Sequence, residues 1–276
     1  MINKIIYNYD LFPQKMFFDD SYYFYIDDIK YRLRKIDDCV INTDLNSVKL
    51  FDELIPTVSG ELFIIFNDKK YCLYKINCIE EINVSLYDID LLSIESNDFD
   101  IPALKKTWVE KIDKIEMQLI EFNKEYKKIR ESFNYYVGLG EIALTLLDNV
   151  EINCKSYKVH STLSSVKEYK DFYNPLNVCS GFKAQDYSYY IMNNEDYKFE
   201  RYIRNMNDDE QLMLLVFLLF PSNYFEKVSK IIEKEEEEKC IDKIVSNRNK
   251  YNNYLKGLYK YLKTKQKLPY IELLCR

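Results

Sequence analysis

Residues 158–191 read KVHSTLSSVKEYKDFYNPLNVCSGFKAQDYSYYI, and the fold prediction rests on this segment. It contains the single histidine of the chain, His160, together with the turn residues Pro175 and Gly181. The irregular part, roughly 151–183, interrupts a region in which apolar residues otherwise recur at helical spacing. The sequence therefore predicts a loop segment set between helices.

Helical periodicity is found on both sides of this loop. Before it, Pro102 can occupy the first position of a helix, and a second helix begins near Tyr135 and runs through GLGEIALTLLDNV. The apolar residues of the first helix recur three or four positions apart: Trp108, Ile112, Ile115, Leu119 and Phe122. After the loop, four more helices are predicted in DYSYYIMN (186–193), DEQLMLLVFLLF (209–220), SNYFEKVSKIIEKEEEE (222–238) and DKIVSNRNKYNNYLKGLYKYLKTK (242–265).

The N-terminal part of the chain has the alternating pattern of strands. SYYFYID (21–27) and IKYRLRKID (29–37) can form a hairpin that turns near Asp27 and Asp28. A second hairpin is predicted from 61–66 and 70–76, with Asn67-Asp68 at the turn.

One short helix is predicted between the two hairpins. Asn42 or Thr43 can cap it, and it runs through DLNSVKLFDEL until Pro56 stops it. Its apolar face consists of Leu45, Val48, Leu50, Phe51 and Leu54. The N-terminal part is therefore predicted to be a small mixed unit of two hairpins and a helix.

Residues 79–100 are acidic and irregular, with one apolar stretch from Val84 to Leu92, and they predict a hinge strand followed by a loop. The order is thus a strand-rich part, an acidic hinge and a helical part, which protein-kinase-like folds share with many other α+β proteins. We predict an α+β protein with a β-rich N-lobe and hinge in residues 1–90 and a helical C-lobe in residues 91–276.

Composition excludes several classes of function. The 39 Lys and Arg against 45 Asp and Glu give a net charge of −6, which argues against nucleic acid or a membrane surface as the main partner. Five glycines leave little material for a phosphate-binding loop, and the seven scattered cysteines include no CxxC pair. We therefore expect no zinc site and no other cofactor, with the cysteines as free thiols in a reducing cytoplasm.

The N-terminus has no apolar region of signal-peptide length, and the longest apolar run, LMLLVFLLF (212–220), is too short to span a membrane. A cytoplasmic location is expected. The 26 tyrosines and 16 phenylalanines have two interpretations. They reflect an A+T-rich coding sequence, or they form a tyrosine-rich surface for cross-linking or for contacts with partner proteins.

The familiar catalytic motifs are missing from the sequence. GLGEIAL (138–144) lacks the third glycine and the preceding strand of a dinucleotide-binding turn, so nucleotide binding is not expected there. No Walker lysine motif, HExxH or GxSxG occurs. A nucleophilic pair of Cys154 or Cys179 with His160 has no support from the spacing.

Four stretches in order resemble the spore-coat kinase-like family of the CotS and YutH type, within the aminoglycoside-phosphotransferase-like fold. They are TWVEKIDKIEMQL (107–119) with SFNYYVGLGEIALTLLDN (132–149), KVHSTL (158–163), YNPLNVCSGFKAQDYSYYI (173–191) and FLLFPSNYFEKV (217–228). The resemblance is greatest to the YutH-like branch and covers about 105–230. It implies a two-lobe protein-kinase-like fold and a role in assembly of the endospore coat.

In the phosphotransferases of this fold a catalytic loop begins His-Gly-Asp, and the matching residues here are His160, Ser161 and Thr162. A threonine hydroxyl is not a base near neutral pH, so the resemblance implies that the catalytic carboxylate is missing. Lys167 stands where the family places a metal-binding Asn, and its ammonium repels magnesium.

The metal-binding Asp of the next strand falls near Ser180 or Gly181, and no acid occurs within 172–185. Asp186 matches the family acid that opens the following helix, and its implied role is a helix cap tied to the loop. If so, Asp186 and His160 lie close together. His160 is then a relic of the catalytic loop or a core histidine that holds the loop in shape.

These residues predict a catalytically inactive, kinase-like protein that binds other proteins, with spore coat components as the implied partners. They predict no nucleotide, cofactor or metal site, and a location in the cytoplasm or the spore coat. Two alternatives remain. One is an active small-molecule kinase of the aminoglycoside or choline phosphotransferase type with displaced catalytic groups, for which Glu168, Asp171 and Asp186 are the candidate acids. The other is an unrelated α+β protein.

Overall fold

The structure is a computed structural model that describes residues 1–19, 21–36, 41, 43–77, 82–96, 99–121, 126–149 and 152–275. The strands in these residues are β1 (Phe17–Phe18), β2 (Tyr22–Ile26), β3 (Ile29–Ile36), β4 (Glu53–Ile55), β5 (Ile64–Phe66), β6 (Lys69–Lys75), β7 (Glu95–Ser96), β8 (Ser156–His160) and β9 (Val178–Gly181). The helices are α1 (Ile2–Tyr9), α2 (Leu86–Leu91), α3 (Ile101–Glu121), α4 (Lys127–Asn149), α5 (Tyr169–Phe172), α6 (Lys183–Asn194), α7 (Asp208–Leu219), α8 (Ser222–Ile232), α9 (Asp242–Ser246), α10 (Arg248–Lys263) and α11 (Glu272–Cys275).

The chain divides into two compact units. One consists of Met1–Val84 and Ser165–Cys179, and the other of Ser85–Ser164 and Ser180–Arg276. We call them the sheet unit and the helical unit. The sheet unit is built on an antiparallel sheet in the order β1-β2-β3-β6-β4, with β5 paired to β6, whereas most of the helices lie in the helical unit. The predicted α+β class is therefore confirmed.

Both predicted hairpins are present in the sheet unit. β2 and β3 are joined by Asp27 and Asp28, with φ of 48° and 63°, and β5 and β6 by Asn67 and Asp68, with φ of 49° and 58°. Two successive left-handed residues match the twist of paired strands, and Asn and Asp tolerate this conformation. The turn residues thus set the register of both hairpins.

One face of this sheet packs on a helix that the sequence pattern did not predict. Ile5 and Tyr9 of α1, one helical turn apart, are buried in a cluster with Phe24, Leu33 and Leu73. The eight residues of α1 are too few to be stable alone, so its stability comes from this contact.

The helix predicted from Asn42 or Thr43 to Leu54 is wrong. Asn42 lies outside the described residues, a 3₁₀ helix covers only Thr43–Ser47, and Leu54 belongs to β4. The side chain of Asn46 explains the change, because its amide accepts the Leu54 N–H at 3.0 Å and donates to the Leu54 carbonyl at 3.2 Å. These bonds fold the chain back, so that Leu54 pairs with Tyr74 of β6.

The hinge strand predicted within 79–100 is also wrong in part, because the apolar stretch forms helix α2. Ser85 caps it: the Ser85 N–H donates to the Asp88 carboxylate at 2.8 Å, while the Ser85 hydroxyl accepts the Asp88 N–H at 3.4 Å. This reciprocal pair is a capping box, and Ser-x-x-Asp is its sequence signature. Residues 78–81, 97 and 98 lie outside the described residues.

The predicted helices of the C-terminal half are confirmed, with different ends. α3 contains the predicted apolar residues up to Leu119, and Phe122 lies outside the described residues. α4 begins at Lys127, earlier than the predicted Tyr135. α8 ends at Ile232, before the glutamate run, and the last predicted helix is divided at Asn247 into α9 and α10.

Helix α7 is the centre of the helical unit. Its residues from Gln211 to Leu219 are all buried, and Trp108 of α3 stacks on Phe220 with ring centroids 4.1 Å apart. The stretch Asp208–Ile232 is long and apolar enough to cross a membrane, with a mean hydropathy of 1.2 in its most apolar window. However, it is two helices separated at Phe220 and Pro221, and 78% of that window is buried inside the protein, as in the core of a globular protein.

Buried tyrosines beside α7 predict sensitivity to alkaline pH. Burial raises the pKa of Tyr224 to about 12 and of Tyr197 to about 12, and it also raises the pKa of Tyr251 and Tyr254. In the unfolded chain these phenols ionise near about pH 10. The unfolded state then binds fewer protons than the native state, so the stability that the neutral phenols provide below about pH 10 is lost as the pH rises further.

We expect the urea midpoint to fall steadily between pH 10 and 12, with tyrosinate absorbance appearing in two steps. The second step accompanies unfolding, because the buried phenols reach water only then. A single absorbance step near pH 10 in the folded protein would contradict this expectation.

Candidate functional site

The candidate site is built around His160, the last residue of β8. The His160 backbone N–H donates to Oδ1 of Asp186 at 2.9 Å, and its ring Nδ1 lies 2.8 Å from Oδ2 of the same carboxylate. The His160 carbonyl accepts a bond from Nε2 of Gln185 at 2.6 Å. The expected proximity of His160 and Asp186 is confirmed. Three hydrogen bonds therefore join the end of β8 to the beginning of α6.

We call these three hydrogen bonds the His160 lock. The lock is buried, since the His160 side chain is fully inaccessible and Asp186 is 2% exposed. Asp186 is the fourth residue of α6, and the N-cap position is occupied by Phe182, so the predicted cap role is wrong. The carboxylate instead lies in the first turn, where the partial positive charge of the helix N-terminus favours it. Its hydrogen bonds go to β8, which explains how it holds the loop without capping the helix.

Gly181 lies at the end of β9, where the backbone approaches β8 closely. A Cβ added to Gly181 would lie 2.5 Å from Cγ2 of Val159 and 3.3 Å from Oε1 of Gln185. Glycine is therefore required sterically, next to the residues that contact His160. Ser180 lies beside it, and its hydroxyl is 2.7 Å from the hydroxyl of Ser96.

The other predicted positions contact residues other than His160. The Thr162 hydroxyl lies 3.2 Å from that of Ser164. Lys167 belongs to the sheet unit: its carbonyl accepts the Val84 N–H at 2.9 Å, and its ammonium lies 3.7 Å from the Glu168 carboxylate. The structure thus brings together His160, Gly181 and Asp186.

The donors of this loop do not fit a magnesium-nucleotide complex. Magnesium in phosphotransfer sites is held by one or two carboxylates, with the phosphates completing its octahedral shell. The predicted positions offer the hydroxyls of Thr162 and Ser180 and the ammonium of Lys167. Both Asp186 oxygens are engaged by His160. Among the residues that the structure describes, no three His, Cys, Asp or Glu side chains are grouped so that they could hold a metal ion.

Two further acids, Glu168 and Asp90, lie next to lysine ammonium groups. The Lys170 ammonium, 3.0 Å from Glu168, lowers the pKa of that carboxyl, and Lys167 adds to the effect. In the helical unit Asp90 accepts a hydrogen bond from the Tyr187 hydroxyl and lies 3.7 Å from the ammonium of Lys183. Burial, together with Asp90, raises the pKa of Tyr187, so this phenol is a stable donor and not a base.

The segment that follows the loop, Ser165–Cys179, is fixed to the sheet unit by a buried ion pair. Nη2 of Arg34 lies 2.7 Å from Oδ2 of Asp52, and the two side chains are 12% and 3% exposed. Nη1 of Arg34 donates to the Asn174 side chain, and the Asp52 N–H donates to the Tyr173 carbonyl at 3.0 Å. The guanidinium therefore joins β3, the residue before β4 and this segment.

Apolar contacts accompany this ion pair. Leu176 packs on a cluster formed by Ile36, Leu54, Cys72, Tyr74 and Ile76. The ring of Tyr173 meets that of Phe51 edge to face, with centroids 5.6 Å apart. As a result, residues 173–176 cover a face of the sheet formed by β3, β6 and β4.

Sequence reasoning missed Arg34, Asp52, Asn174 and Gln185. In the sequence, Arg34 has the pattern of every polar residue in an alternating strand. Its partner Asp52 falls in the segment that the sequence predicts as a helix. Gln185 had one available signal, since it directly precedes the acid that was expected to contact the loop.

The architecture described above is similar to that of solved structures. No protein-family model matches the sequence, and no curated protein matches it. Among solved structures, the chain is similar to an aminoglycoside phosphotransferase from Alicyclobacillus acidocaldarius, with a TM-score of 0.59, 10% identity and coverage of 96% of this chain and 97% of that one.

It is also similar to spectinomycin phosphotransferase, APH(9)-Ia. The AMP-bound complex gives a TM-score of 0.53 at 13% identity, covering 96% of this chain and 98% of that one. The complex with ADP and spectinomycin gives 0.54 at 13%, covering 93% and 92%. At such low identity the likeness shows the fold alone, which is the kinase-like fold of the aminoglycoside phosphotransferases.

The His160 lock predicts a large effect of Asp186→Ala. This change leaves a buried N–H and a buried imidazole without their acceptor, so the free energy of unfolding should fall by about 1–3 kcal/mol. Urea denaturation measures this, with Asp113→Ala, an exposed acid on α3, as the control that should change it little. Equal midpoints for the two variants would contradict the assignment.

The ion pair of the sheet unit predicts a second effect. Removing Arg34 leaves the Asp52 carboxylate buried without its cation, and breaking a buried pair in this way costs about 3–5 kcal/mol. We therefore expect Arg34→Met to lower the free energy of unfolding strongly. Lys106→Met, which removes one partner of the exposed Lys106–Glu110 pair, should cost at most about 1 kcal/mol. The prediction fails if the two costs are the same.

Proposed function

We propose that this chain is a catalytically inactive protein of the kinase-like fold that binds other proteins. The observation that carries the proposal is the state of the loop after His160. Its structural lock to Asp186 is kept, whereas Thr162, Lys167, Ser180 and Gly181 occupy the positions at which the resemblance expects the catalytic and metal-binding groups. Without a carboxylate there, no general base and no magnesium ligand is available at these positions.

The packing of residues 165–179 also supports this proposal. The backbone and side chains of this segment bond and pack within the sheet unit, through Arg34, Phe51 and Asp52. The contacts that fix this segment are made within the chain and need neither a nucleotide nor a metal.

The alternative is an active small-molecule kinase with displaced catalytic groups. It is favoured by the similar solved structures. They are named as phosphotransferases, and the match covers nearly their whole length. Two of the three candidate acids, Asp186 and Glu168, count against it. The Asp186 carboxylate is buried and hydrogen-bonded to His160, and the Glu168 carboxylate is paired with the Lys170 ammonium.

The resemblance to spore-coat kinase-like proteins gives the proposed setting, which is assembly of the endospore coat, in the cytoplasm of the sporulating cell or on the coat itself. The proposed partners are other coat proteins. Exposed tyrosines are suited to such contacts, because Tyr7 and Tyr87 are 82% and 69% exposed and tyrosine is enriched at protein interfaces. Failure of an antibody to the chain to label the coat of spores of the source organism would refute this setting, but not the inactivity.

A thermal-shift titration with ATP and Mg²⁺ tests the inactivity. We expect no rise in melting temperature, whereas a binder gains about 2.7 kcal/mol of stability at a hundredfold excess of ligand over Kd. The same titration is made on a variant with Thr162→Asp and Lys167→Asn together. A rise in its melting temperature would show that these two side chains restore binding of the magnesium nucleotide. A clear shift in the unaltered protein would contradict the proposal. Phosphate transfer to an amino-sugar acceptor that Asp171→Asn abolishes, in a protein that still folds, would establish the alternative.

A further inference from the structure

The helical unit contains a cavity that has no part in the His160 lock. It has a volume of about 620 Å³ and lies between α4, α10 and residues 269–273. None of its wall residues belongs to the loop or to the ion pair of the sheet unit. A cavity of this size falls within the range of about 300–1,000 Å³ that is typical of small-molecule sites.

The wall is mainly apolar. Ile142 and Leu146 of α4 form one side, and Pro269, Ile271 and Leu273 form the other. Such a wall favours an aliphatic body, because apolar surface is removed from water when the ligand enters.

Among the described residues that line this wall, Lys256 is the only cation and Glu272 is the only acid. Within the part of the chain that the structure describes, no ion pair or hydrogen bond involves the Lys256 ammonium, whereas Lys263 of the same helix lies over the ring of Tyr259. An ammonium beside an apolar wall attracts the anionic head group of an amphipathic ligand. The charges thus favour a ligand with one negative charge at one end.

We propose that this cavity binds a small amphipathic monocarboxylate, with its aliphatic body along Ile142, Leu146 and Ile271 and its carboxylate on Lys256. The inference stands apart from the proposed function, because it uses none of the residues of the loop. It assigns to the chain a ligand-binding site on the helical unit.

Titration calorimetry of the full chain with dodecanoate tests the site. Lys256→Gln keeps most of the aliphatic stem but removes the charge, and we expect it to weaken binding about tenfold or more, as for loss of a charge-assisted hydrogen bond. Lys260→Gln, one turn further along α10 and outside the wall, is the matched control and should bind like the unaltered protein. Lys256→Arg should retain binding.

A second pair of variants tests the cavity itself. Thr145→Phe places a ring in the wall from an exposed position, and it should abolish binding without altering the melting temperature by more than its control. The control is Thr107→Phe, since Thr107 and Thr145 are both exposed helix residues whose hydroxyls donate to the carbonyl four residues earlier. Equal dodecanoate affinities for Lys256→Gln and Lys260→Gln, unaltered binding by Thr145→Phe, or equal binding of dodecylamine would each overturn the proposal.

Discussion

The buried carboxylate of Asp186 holds the candidate site together. It accepts the backbone N–H of His160 and contacts the imidazole, while Gln185 holds the His160 carbonyl from the same helical turn. A buried charge is stable only where hydrogen bonds compensate its desolvation, and here strand β8 supplies them. The end of β8 and the start of α6 therefore form a single structural element, and Gly181 is sterically required beside it.

The sheet unit depends on a comparable constraint. Asp52 is buried and the Arg34 side chain is 12% exposed. Asp52 also accepts the Asn77 N–H at 3.1 Å, and Arg34 lies over the ring of Tyr74 at 5.3 Å. Neither charge is compensated without the other. Because Asn174 shares the guanidinium, the segment Ser165–Cys179 is fixed by the same charges that stabilise the sheet.

The sequence predicted those parts of the fold in which local signals and tertiary packing agree. Asp27-Asp28 and Asn67-Asp68 are turn pairs with one favoured geometry, and the apolar period of α3 leaves no alternative. The pattern failed where a distant contact determined the conformation. Leu45, Phe51 and Leu54 are buried as the helical pattern requires, yet the Asn46 side chain and the pairing with β6 turn the last of them into a strand residue.

The same distinction explains the site. The pair of His160 and Asp186 was accessible to sequence reasoning because the resemblance placed both residues in one motif. Asp52 lies 18 residues and Asn174 lies 140 residues from Arg34 along the chain, and no local pattern marks any of the three. Sequence reasoning therefore could not predict their contacts. Ion pairs between distant segments follow from the folded geometry, and a single sequence carries no signal of them.

Stability and catalysis make opposite demands on such a loop. Carboxylates gathered for magnesium repel one another and need a metal to compensate them, so an active site is a source of instability in the absence of its ligands. Here the corresponding polar groups are paired within the chain: Thr162 with Ser164, Ser180 with Ser96, and Lys167 with Glu168. None of these three pairs involves a metal or a nucleotide. That property suits a protein whose proposed role is to present a constant surface to its partners, since its fold then depends on no substrate.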